Sequence, residues 1–123
     1  MSRLFFALLV FVLVSNCENK SIDQENSEAD QKKINKTIAL KNNIEKGRGV
    51  YFANCVSCHN NNPKKHGSIG PELYGVPIEV LMQKIVSGKY PENYIPKRKS
   101  KIMPLMPHLN KKISNLHAFI NSS

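Results

Sequence analysis

The run Cys55, Val56, Ser57, Cys58, His59 sets two thiols three positions apart, with an imidazole directly after the second. Three chemistries use such a pair. A redox C-x-x-C of the thioredoxin kind sits near a βαβ pattern, and this chain has no alternating strand pattern. A zinc site wants two further ligands at short spacing, yet the remaining cysteine is the distant Cys17. Covalent haem attachment uses every member of the run. Two thiols reach the two vinyl groups on one side of a porphyrin, and the imidazole that follows sits under the iron. The C-x-x-C-H order therefore favours Cys55 and Cys58 as attachment points for one haem c, with His59 as an iron ligand.

Elements must hold this run in place, and three helical segments can be read. The first spans about Ile44 to Val56, with Asn43 as its N-cap and Ile44, Gly47, Tyr51 and Cys55 on one face. The second carries Ile78, Leu81, Met82, Ile85 and Val86 at helical spacing, with Pro77 suited to its first turn and Gly88 to its end. The third runs from about Lys111 to Asn121, capped by Asn110, with Ile113, Leu116, His117 and Ile120 along one stripe. Asparagines, glycines and prolines make loops of the stretch after His59 and of the approach to the last helix. The fold class this predicts is all-α. Roughly eighty residues is a size at which a hydrophobic core alone is marginal, so a covalently attached cofactor would act as a staple.

The N-terminal part reads differently. Leu4 to Val14 is an apolar run preceded by Arg3, too short for a membrane-spanning helix of roughly 20 residues but suited to a secretory signal. Cys17 follows it and resembles the lipobox cysteine at which bacterial lipoproteins are cleaved and acylated, with Asn16 standing where Gly, Ala or Ser is usual. Three cysteines leave Cys17 without an intrachain disulfide partner once Cys55 and Cys58 are assigned. Residues 18–41 are polar and lack glycine and proline, a composition that buries too little apolar surface to build a core, and the faint periodicity of Ile34, Ile38 and Lys41 reads as a tether helical in part. The expected organisation is a signal peptide over 1–17 ending at a lipidated Cys17, a polar tether over 18–41, and a folded domain over 42–123.

From about Ile44 to Ile120 the landmarks together resemble the class I cytochromes c, the monohaem bacterial and mitochondrial type. Gly47 lies eight residues before Cys55, where the family has a glycine that lets the last helix cross closely; Tyr51, Leu116 and Phe119 match apolar and aromatic positions of the same crossing. The segment Gly70-Pro71-Glu72-Leu73-Tyr74-Gly75 is similar to the family's G-P-x-L-x-G loop, with Pro71 twelve residues after His59. The resemblance implies that the Pro71 carbonyl accepts a hydrogen bond from the imidazole and fixes the ring. Met103-Pro104-Leu105-Met106-Pro107-His108-Leu109 resembles the family's methionine segment. In that register Met103 is the sixth iron ligand and Met106 a pocket residue, while His108 in that role would give a bis-histidine haem of lower potential. His66 reads as a solvated loop residue and His117 as a packed one. The implied fold is three or more helices and loops wrapped around one covalently bound haem. With no tryptophan in the chain, contacts to the haem propionates fall to Tyr90, Tyr94 or a basic side chain.

What this implies for function is electron transfer rather than catalysis, because an iron held by His59 and Met103 has no open position. The expected protein is a one-electron carrier and not an enzyme, exported in a bacterium and held by its lipid on the periplasmic or cell-surface side. A cytochrome subunit of a larger membrane-associated oxidoreductase is the alternative, and a haem sensor or peroxidase a more distant one. Residues 1–40 hold five basic and five acidic side chains, while residues 41–123 hold thirteen and four, so the formal charge of +9 belongs to the domain. Lys64, Lys65, Lys97, Arg98, Lys99, Lys101, Lys111 and Lys112 flank the haem-side loops, a charge pattern suited to an acidic redox partner. Neither nucleic acid nor a small-molecule substrate is expected.

Overall fold

The structure, a computed structural model, describes residues 22–98 and 100–122. The expected signal segment, Cys17 and Lys99 lie outside these. The chain divides into two units, residues 1–34 and 35–123.

Helix α1 (Ile22–Asn54) begins far earlier than the sequence expectation, and Asn43 is an interior residue rather than a cap. The reason is local. Residues 22–43 contain no glycine or proline, and Glu, Gln, Lys, Ala and Leu, which favour helix, are well represented there. Side chains from Ser27 to Asn43 are all exposed, so this stretch is helical without contributing a core. Burial begins at Ile44 and Gly47, where the pattern read from the sequence also begins.

Helix α2 (Ile78–Ser87) has the expected bounds, but its buried face is turned so that Val80 is in the core and Met82, expected on the stripe, is exposed. Pro77 precedes it at φ −59°, and Gly88 ends it in the left-handed region at φ 73°, with its N–H donating to the Lys84 carbonyl. Val80, Leu81 and Ile85 are its buried side chains. Before the last helix the chain makes a 3-10 turn over Pro107–Lys112, and α3 spans Ile113–Ser122. Asn110 therefore sits inside the 3-10 turn, where its carbonyl accepts the Ile113 N–H, rather than acting as a side-chain cap. Pro107 fixes φ at the start of that turn, and the tight winding sends Leu109 into the core.

The core joins these elements. Tyr51, Leu109, Leu116 and Ile120 are among the most deeply buried side chains. Tyr51 packs against Phe119 with ring centroids 5.3 Å apart, and Phe52 meets Phe119 at 6.2 Å. A Cβ on Gly47 would fall on the Asn115 carbonyl of α3. Glycine is thus what lets the two helices approach at this point, as the resemblance implied. Among the described residues there is no strand, and no helix is long and apolar enough to cross a membrane.

Candidate functional site

Cys55, Cys58 and His59 come directly off the end of α1. The Cys55 N–H donates to the Tyr51 carbonyl at 2.8 Å, and the His59 N–H to the Cys55 carbonyl at 2.8 Å, so the run continues the helical winding for one more turn. Tyr51 reinforces this turn by donating its hydroxyl to the Asn60 carbonyl at 2.5 Å. The two cysteines are not bonded to each other. Burial, with a smaller contribution from neighbouring Cys58, pushes the Cys55 thiol up to about 11. It is therefore protonated at neutral pH.

His59 is the one buried polar or charged residue among those described. Its Nδ1–H donates to the Pro71 carbonyl at 2.8 Å, which leaves Nε2 as the nitrogen with a lone pair for a metal. Burial lowers its pKa, the Pro71 bond opposes that shift, and the positive charge of Arg98 adds to it. The net result is a neutral imidazole, the form that ligates iron. The loop carrying Pro71 is wound against the C-x-x-C-H turn: Gly70 N–H donates to the Cys58 carbonyl at 2.8 Å, and Gly67 N–H to the Gly70 carbonyl at 2.9 Å. A Cβ at Gly70 would run into the His59 ring, and one at Gly67 into the Cys58 carbonyl. Both glycines are needed to seat the loop against the histidine.

These residues face a single cavity of about 1100 Å³, part of it open to solvent. Cys55, Cys58, His59, Pro71, Met103 and Met106 all line it. His66, His108 and His117 do not. Met106 is tied by its N–H to the Ile85 carbonyl at 2.8 Å, and Met103 is half-buried between Ile102 and Pro104. Tyr90 and Tyr94 stack on each other at 5.4 Å and line the cavity as well. No group of three or more His, Cys, Asp and Glu side chains is gathered as a metal site among the described residues, so the zinc alternative finds no ligand set.

Sequence reasoning did not place the basic members of the site: Lys84, Lys97 and Arg98 all line the cavity. Arg98, counted above with the surface cations, lines the cavity and donates Nη1 to the Ile69 carbonyl at 2.6 Å and Nη2 to the Gly67 carbonyl at 3.4 Å. Lys97 beside it donates to the Glu72 carbonyl at 3.2 Å and meets the Glu72 carboxylate at 3.1 Å. Nothing in the spacing of a basic run distinguishes a cation that crosses back over the site from one that points to water.

The cytochrome c family profile matches residues 44–123, and the chain belongs to that family. A cytochrome c-553-like protein of Synechocystis sp. (strain ATCC 27184 / PCC 6803 / Kazusa) is 34% identical over 62 residues, which cover 47% of this chain and 57% of that protein. The chain thus spans little more than half the length of this curated relative. No solved structure matches it. Membership implies a covalently bound haem c, and the residues present fit that group. Two thiols, a neutral imidazole held at Nδ1 and an apolar wall share one cavity, and Gly70 leaves the imidazole the room it needs.

Proposed function

We propose that this protein is a one-electron carrier whose haem iron is held by His59 and Met103. The haem supplies the Fe(III)/Fe(II) couple; the chain supplies its attachment, ligands and surroundings. The observation that carries the reading is the His59 Nδ1 bond to the Pro71 carbonyl, in a cavity that Met103 also lines. Two neutral ligands of fixed position leave little to rearrange when the charge changes, which favours fast transfer. The thioether favours the reduced iron over what a second imidazole would give. Its support over His108 is that His108 lies off the cavity while Met103 lies on it.

Tyr51, Leu116 and Ile120 exclude water from the side of the site where the helices cross. Cys55 and Cys58 would form thioethers that make loss of the cofactor impossible without breaking a covalent bond. Exposed Lys65, Lys101, Lys111 and Lys112 favour a partner with an acidic face. The apolar leader and Cys17 support export and a lipid anchor facing the periplasm or cell surface, with the polar residues 18–41 as the tether.

A pyridine haemochrome assay on the purified protein, followed by carbon monoxide titration of the reduced form, tests the reading. Expected are a covalent haem and slow, weak carbon monoxide binding. Absence of covalent haem, or rapid binding, would sink it. Met103→Ala should abolish the long-wavelength Met-to-iron absorption band and open the iron to carbon monoxide, whereas Met106→Ala should leave the band in place.

A further inference from the structure

Arg98 is set apart from the other basic residues of the domain by where its guanidinium ends. It reaches back 29 residues to the Ile69 carbonyl and 31 residues to the Gly67 carbonyl. Those carbonyls belong to the loop whose Gly70 seats the His59 ring and whose Pro71 orients it. The side chain is half-buried and forms part of the cavity wall. A fork donating to two main-chain carbonyls is rigid in a way a lysine ammonium is not. Lys97, one residue earlier, has its charge largely met by the Glu72 carboxylate. Arg98 instead bonds only neutral carbonyls among the described contacts.

We infer that Arg98 is a positioning residue that tunes the redox potential: pinned on the Gly67 and Ile69 carbonyls, its guanidinium is a fixed positive charge in the haem-cavity wall that favours the reduced iron over the oxidised one. The inference rests on the His59/Met103 haem reading above. The oxidised centre carries one more positive charge than the reduced centre. A cation held near it in a partly dehydrated site therefore raises the potential, and the same cation in water would scarcely do so. The preference comes from geometry: a charge that swung into solvent would be screened, and the two carbonyl bonds prevent that.

The test uses the haem-loaded full chain and three variants, Arg98→Gln, Arg98→Lys and Lys97→Gln, with the reduction potential measured by spectroelectrochemistry and the Met-to-iron band recorded in each. Arg98→Gln should shift the oxidation equilibrium about tenfold toward the oxidised form, equivalent to ~59 mV for one electron, with the band intact. Arg98→Lys, which keeps the charge but loses the fork, should fall by less than Arg98→Gln, and Lys97→Gln should move the potential much less than Arg98→Gln although it removes the same formal charge. An unchanged potential in Arg98→Gln overturns the inference, as does an equal fall in Lys97→Gln. A fall accompanied by loss of the band also overturns it, because Arg98 would then only be holding the methionine segment in place. If Arg98→Gln does not mature, Arg98→Lys and Lys97→Gln still decide: a lysine variant whose potential falls with the band intact while Lys97→Gln stays near the parent upholds the inference, and one that does not fall, or falls no more than Lys97→Gln, overturns it. Failure of the ligand reading shows separately, as a missing band in the unsubstituted protein.

Discussion

The two sides of the haem cavity are built by different means. On the histidine side, residues 55–76 are fastened by main-chain bonds: Gly70 to Cys58, Gly67 to Gly70, and both Leu73 and Tyr74 to the Pro63 carbonyl at 2.8 and 3.0 Å. On the methionine side, residues 89–105 have a single main-chain bond among those recorded outside helices, Tyr94 N–H to the Pro91 carbonyl. They are held instead by side chains, those of Arg98, Lys97 and the stacked Tyr90 and Tyr94. One apolar side chain that could anchor such a segment points away from it: Ile95 is 87% exposed. The histidine is thus gripped by backbone and the methionine segment by removable side chains. Under the ligation proposed above, that division keeps the His59 imidazole fixed while the methionine segment depends on side chains.

If the grip at His59 depends on the close approach of Gly70, Gly70→Ala should be the most damaging of the loop substitutions. Its Cβ meets the imidazole ring, and overpacking of this kind costs about 3 kcal/mol. Gly75→Ala is the matched control. It has positive φ, 75°, but open space around its Cβ, so its cost should be nearer 1 kcal/mol of backbone strain. Guanidinium unfolding of the haem-loaded variants measures both, and equal losses would remove the distinction between steric seating and ordinary turn strain.

A middle-sized effect is expected at Tyr51. Tyr51→Phe removes the donor to the Asn60 carbonyl that closes the turn behind His59, at about 1 kcal/mol. Burial pushes the Tyr51 hydroxyl up to about 12, against an ordinary value of 10. An acid whose pKa is raised on folding contributes stability that is full below pH 10 and is lost as the pH climbs through 12. The parent should accordingly lose more stability between pH 10 and 12 than Tyr51→Phe does, as followed by alkaline unfolding curves. Parallel curves would mean that other groups govern that window.

The smallest effect belongs to the methionine side. Leu105→Ser, at a 57% exposed position, should change stability by less than about 0.5 kcal/mol. Hydrogen exchange should give the amides of residues 92–105 less protection than those of residues 67–76. Equal protection in the two segments would erase the contrast drawn above.

Much of this was legible in the residues. The C-x-x-C-H run was legible from its residue types, whereas Pro71 at its spacing and Gly47 at the crossing were legible through the family resemblance, and the structure contains the contact that each of these two implied. The bounds of α2 could be read locally, from Pro77 and Gly88. Two features were not fully legible. Before Ile44 the faint periodicity of Ile34, Ile38 and Lys41 pointed to a stretch helical in part, and not to the unbroken helix that runs from Ile22. Arg98 looked like any member of a basic run, because what distinguishes it is a pair of carbonyls some thirty residues back in the chain. Long-range partners of flexible side chains leave no period in a sequence.

The His59 anchor carries a consequence for how the chain can change. Its acceptor is a main-chain oxygen, and no substitution of the side chain at position 71 deletes that atom. Inheritance can therefore vary this position while the imidazole keeps its partner, provided the loop keeps its course. Vulnerability is moved one residue back, to Gly70, where the smallest possible addition, a single methyl group, lands on the ring. A site organised in this way tolerates errors at the residue that bonds the imidazole and forbids them at its neighbour, which makes no bond to the ring.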